Sequence, residues 1–155
     1  MRKITGIYLL TISILLFSCS PKENKMGDFK LLPQPQEFDV TGVSSISYDA
    51  TLKTEAKNGE VLPIIDEDIL ALDKNQGKTT LMYEIDSDLD VPAEGYSLTI
   101  TDEQILIKGK DEAGLFYAFK TLEQLMVDAK DQRVNLPLCQ LKDYPLLAYR
   151  SVHLD

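Results

Sequence analysis

Apolar and polar residues alternate with period two over Thr79 to Ile85, which places Leu81, Tyr83 and Ile85 on one side of a strand. The same alternation runs through Tyr96, Leu98 and Ile100, turns at Asp102-Glu103, and resumes in Gln104-Ile105-Leu106-Ile107-Lys108, which predicts a hairpin with one apolar face. After Gly109 the period switches to 3.6. Leu115, Phe119, Leu122 and Met126 form a helical stripe, widened by Phe116 and Leu125, that is expected to cover the hairpin. Asp111 can cap this helix, and Glu112 adds negative charge near its positive end.

The flanking pattern is less regular. Pro33 and Pro35 lack amide donors and bias Leu32 and Gln34 to extended backbone, so Leu31 to Gln36 reads as an extended lead-in. Thr41-Gly42 marks a turn, with a short strand expected over Ser44 to Tyr48. Between Ala56 and Asn75, the residues Ile64, Ile65, Ile69, Leu70 and Leu72 recur near helical spacing behind Asp66 to Asp68, which predicts a second helix. Val134 to Leu141 is extended, and Pro137 favours an edge position for it. The fold class expected is α+β, a mostly antiparallel sheet with about two helices on one face.

The ends change the picture. Arg2 and Lys3, the apolar run from Ile7 to Phe17 and the small Ser18 before Cys19 have the three parts of a secretory signal. That run is far shorter than the roughly 20 residues of a membrane-spanning helix. Leu16-Phe17-Ser18-Cys19 resembles the bacterial lipoprotein box, which implies lipidation at Cys19; an ordinary signal peptide with an incidental cysteine is the other reading. Ser20 to Asp28 has the polar composition of a tether. At the other end, the apolar Leu146-Leu147-Ala148-Tyr149, continued to Asp155, reads as a buried strand with no later partner, so the chain is expected to be cut at a domain junction. The expected organisation is therefore a signal peptide over 1–18, a lipidated tether over 19–29, one α+β domain over 30–142, and the start of another domain over 143–155.

Composition excludes several functions. Loss of residues 1–18 would remove two of 16 basic residues and none of 25 acidic ones, taking the net charge from −9 to −11. Such a surface repels phosphate backbones, so no nucleic-acid partner is expected. Cys19 and Cys139 are the two cysteines, which allows neither a disulfide framework nor a zinc site, and Cys139, set between Leu138 and Gln140, reads as a small buried hydrophobe. The sequence has no glycine-rich phosphate loop, nucleophile elbow or HExxH, and its one histidine, His153, has no second histidine with which to share a metal. Asp66-Glu67-Asp68 and Asp86-Ser87-Asp88 read as solvated turns or a helix start. No catalytic residue, metal ligand or cofactor is expected.

Four ordered segments carry a resemblance. Leu32-Pro33-Gln34-Pro35-Gln36, Glu94-Gly95-Tyr96-Ser97-Leu98, Ala113-Gly114-Leu115-Phe116-Tyr117-Ala118 with Thr121-Leu122 and Gln124-Leu125, and Asp143-Tyr144-Pro145 with Ala148-Tyr149-Arg150 together resemble the N-terminal half of bacterial β-N-acetylhexosaminidases of glycoside hydrolase family 20. The resemblance covers about residues 30 to 155 and implies that the α+β domain precedes a (β/α)8 barrel whose first strand begins near the end of this chain. It also implies that Arg150 hydrogen-bonds hydroxyls of a terminal N-acetylhexosamine, a task suited to a guanidinium fork of up to five donors; Ser151 stands where the family usually has glycine.

Catalysis in the family is substrate-assisted: the 2-acetamido carbonyl attacks the anomeric carbon while a glutamic acid protonates the leaving group. The Asp-Glu pair that does this lies on a later barrel strand, and neither Glu112 nor Asp155 takes its place. The implied partners are a glycan ending in N-acetylhexosamine for the full enzyme and a membrane reached through the lipid anchor, in a bacterial cell envelope. Two readings follow. One is a hexosaminidase N-terminal domain, inactive as this chain; the other is a stand-alone surface lipoprotein serving as a binding or interaction module.

Overall fold

The computed structural model describes residues 25–147. One seven-stranded sheet carries a single long helix on one face. The strands are β1 (Glu37–Val43), β2 (Leu52–Ala56), β3 (Leu72–Asp73), β4 (Thr79–Ile85), β5 (Tyr96–Ile100), β6 (Gln104–Gly109) and β7 (Pro137–Asp143), with α1 (Glu112–Gln132) between β6 and β7. Their spatial order is β1-β7-β5-β6-β4-β2-β3.

The period-two and period-3.6 segments form as their patterns predict. β4 spans Thr79–Ile85, and β5 pairs antiparallel with β6 from Tyr96↔Gly109 to Ile100↔Ile105. Leu81, Leu98, Ile100, Ile105 and Ile107 are buried on the face that α1 covers with Leu115, Phe119, Leu122, Leu125 and Met126. Tyr83 meets Phe119 edge-on, with ring centroids 5.5 Å apart. Phe116 is the exception to the predicted stripe, since it is partly exposed. Asp111 is the N-cap, accepting a hydrogen bond from the Gly114 amide at 2.8 Å. At the other end Arg133 closes the helix in left-handed conformation, its N–H reaching the carbonyls of Ala129 and Lys130.

The irregular segments depart from expectation. The sheet is mixed rather than mostly antiparallel: β2 pairs parallel with both β3 and β4, and β4 parallel with β6. Parallel neighbours need a long crossover, and residues 57–78 supply it between β2 and β4. The second helix expected over Ala56 to Asn75 is therefore absent. Pro63 interrupts it, and Glu123 of α1 accepts the Asp66 amide at 2.8 Å, leaving a single turn in which the Ile69 and Leu70 amides bond the Asp66 carbonyl. Leu70 is fully buried while Ile64 is exposed, so the apolar residues serve a winding strand of chain and not one helical stripe.

Thr41-Gly42 is not a turn. It lies inside β1, where the register against β7 slips between Val40 and Gly42, and Ser44 to Tyr48 is not a strand. β7 sits between β1 and β5 rather than at an edge; Pro137, its first residue, costs little there because a strand start can spare a donor. The strand expected from Leu146 falls mostly outside the described residues, and Leu146 and Leu147 are themselves exposed and irregular.

Candidate functional site

A groove of about 410 Å³ opens at one end of the sheet beside α1. The two-proline segment, which bends at Leu32-Pro33 rather than running straight, makes one wall, with Pro33, Gln34, Pro35 and Gln36, and α1 makes the opposite wall, with Tyr117, Lys120, Thr121 and Gln124. Leu31, Glu94 and Tyr96 line it from within, and Tyr144, Pro145 and Leu146 line the path by which the chain leaves β7. Described residues of all four sequence segments singled out above thus meet at one place.

A polar clip joins residues of all four. The buried Tyr96 hydroxyl lies 2.5 Å from the Thr121 hydroxyl and donates to Asp143 at 3.4 Å, while the other Asp143 oxygen accepts the Gln36 amide at 3.2 Å. Burial pushes the Tyr96 phenol up, so this group is a neutral donor and not a base. Lys120 is held by Glu123 at 2.9 Å and stands 5.5 Å from the centre of the Phe116 ring. The second and third segments also touch directly. A Cβ built on Gly114 would lie 2.2 Å from the Gly95 carbonyl oxygen, so only glycine lets the helix start approach the chain leading into β5.

This chemistry suits docking. The groove lining contains neither histidine nor cysteine, Asp143 already binds Gln36 and Tyr96, and its walls carry proline, tyrosine and leucine. Among the described residues no group of three or more His, Cys, Asp or Glu could hold a metal ion, and no helix is long and apolar enough to cross a membrane. Cys139 is buried as expected, and burial pushes its thiol up to about 12, which leaves it unreactive. Cys19, Arg150 and His153 lie outside the described residues. Sequence reasoning missed the groove because its walls are separated by up to a hundred residues; the only signal available was the order of the four segments.

The sequence model of glycosyl hydrolase family 20, domain 2, matches residues 28–144. A β-hexosaminidase of Vibrio vulnificus is 28% identical over 127 residues, covering 81% of this chain and 15% of that protein. Among solved structures, the exo-β-N-acetylglucosaminidase of Vibrio harveyi, solved in complex with N-acetylglucosamine, matches with a TM-score of 0.54 at 20% identity, over 77% of this chain and 20% of the other. A β-N-acetylhexosaminidase from Bacteroides fragilis matches with a TM-score of 0.51 at 20% identity, over 77% of this chain and 25% of its own. The chain spans a quarter or less of the length of these proteins.

Proposed function

Residues 28–144 belong to glycosyl hydrolase family 20, domain 2, and on that premise we propose that the chain is the N-terminal, non-catalytic domain of a β-N-acetylhexosaminidase. The full enzyme would remove terminal N-acetylhexosamine from glycans. This domain would serve it by seating the catalytic part of the polypeptide in the groove between the proline wall and α1. Arg150 would belong to the sugar site, and Cys19 would carry the lipid that holds the protein in a bacterial cell envelope.

The observation that carries the reading is the convergence of residues from the four family-like segments on one groove, where Asp143 is committed to structural bonds. Substrate-assisted cleavage requires a positioned acid and an oriented acetamido group, and the groove presents no such pair. The purified chain is expected to release no chromophore from 4-nitrophenyl N-acetyl-β-glucosaminide above a blank. Residues 28–144 grafted in place of the matching domain of the Vibrio harveyi enzyme are expected to yield a folded, active hybrid. Turnover by the chain alone, or a folded hybrid without activity, overturns the reading.

A further inference from the structure

The outer face of α1 carries a comb. Gln124, Asp128 and Gln132 stand four residues apart, so their side chains project at steps of about 6 Å. An extended chain repeats every second residue at about 6.6–6.8 Å, and Asp28, Lys30 and Leu32 meet this comb antiparallel. The Asp28 amide donates to Gln132 Oε1 at 2.7 Å, and Gln132 Nε2 donates back to the Asp28 carbonyl at 2.8 Å. The Lys30 amide donates to Asp128 Oδ2 at 2.8 Å. The Leu32 amide donates to Gln124 Oε1 at 2.8 Å, and Gln124 Nε2 donates back to the Leu32 carbonyl at 3.0 Å. Each glutamine therefore closes a two-bond ring on the N–H and C=O of one residue, as a neighbouring strand would. The intervening Phe29 and Leu31 turn toward the core, Leu31 being buried.

We propose that Gln124, Asp128 and Gln132 form a seat for extended backbone, and that its occupant is this chain's own segment 28–32. The seat's hydrogen bonds all go to main-chain atoms, so it reads conformation and direction, and the Lys30 ammonium adds a charge attraction to Asp128. Its consequence is positional: the seated segment runs directly into Pro33–Gln36, one wall of the groove, and Gln124 belongs to both the seat and the opposite wall. The groove keeps its width while the seat is filled. This inference stands on the hydrogen bonds and does not depend on the family reading.

Amide hydrogen exchange on the whole 155-residue chain tests it. The combined variant Gln124→Ala, Asp128→Ala, Gln132→Ala is expected to speed exchange at residues 28, 30 and 32 roughly 100-fold, the loss of five net hydrogen bonds partly offset by the packing of Phe29 and Leu31. Trypsin should then cut after Lys30, while β5, β6 and α1 stay protected. The opposite variant, Asp28→Ala, Lys30→Ala, Leu32→Ala, is expected to keep wild-type protection. Unchanged exchange at 28, 30 and 32 in the comb variant would show that core packing alone holds the segment and would overturn the proposal. So would equal loss in the alanine-substituted segment, or loss of protection throughout the sheet together with the segment.

Discussion

Gly114 shows how one missing methyl group sets the position of a helix. Its Cα approaches the Gly95 carbonyl so closely that a Cβ would sit at 2.2 Å, with the Gly95 carbonyl carbon at 3.0 Å. Backbone on both sides cannot swing away as a flexible side chain would. Gly114→Ala is therefore expected to destabilise the domain by about 1–3 kcal/mol through forced displacement of the helix start, although alanine is the better helix former. Urea unfolding followed by far-ultraviolet circular dichroism checks the sign, and an alanine variant as stable as wild type would refute the close approach. The cap at Asp111 was legible because capping is local chemistry. The role of Gly114 was not, since the residue it meets lies nineteen positions away; the resemblance alone pointed at both glycines.

At the scale of elements, the reading succeeded where one period governs and failed where the chain crosses the sheet. β4, the β5–β6 hairpin and α1 follow from their own residues, because each buries one regular face. The segment from 57 to 78 mimics helical spacing, yet its amides are used by Glu123 and by a single turn, a tertiary demand that no local pattern carries. The strand pairing also fixes a charge cluster on the sheet face away from α1. Glu84 of β4 lies directly opposite Lys108 of β6, with Nζ 3.1 Å from Oε1, and Lys57 reaches Oε2 at 2.8 Å. Glu84 is only 5% exposed, while Lys108 also holds Asp86 at 3.0 Å.

The Lys57 hydrogen bond, helped by Lys108, holds the Glu84 carboxyl below its ordinary value of 4.5 despite the burial. A carboxyl depressed in the folded state stabilises the fold above its unfolded pKa, and that stability is lost as pH falls through the folded one. Stability should therefore fall below about pH 4.5, and Glu84→Gln, which cannot ionise, should flatten this acid limb while lowering stability at pH 7. Urea midpoints between pH 7 and pH 3 measure both effects. Parallel acid limbs in variant and wild type would show that other carboxyls carry the dependence.

For the molecule as a whole, the groove and the comb place the N-terminal segment and the departing chain on the same side of α1, since both Pro33–Gln36 and Tyr144–Leu146 line one cavity. Long-range convergence of this kind is invisible to periodicity. It follows from a topology in which β7 is inserted between β1 and β5 and so ends beside the lead-in to β1. The comb also defines where a tether would end. Asp28 is the first residue it holds, so the proposed tether from Cys19 would end there. The proposed anchor is directly measurable. Fatty-acid labelling of the chain expressed in a bacterium is expected to place label at Cys19 and to disappear in Cys19→Ala. Cys139 supplies the internal control, because it is buried with its thiol pushed up to about 12 and should take no label in either protein. Label of equal strength in wild type and Cys19→Ala would remove the anchor and the tether from the reading, leaving the domain and its groove untouched.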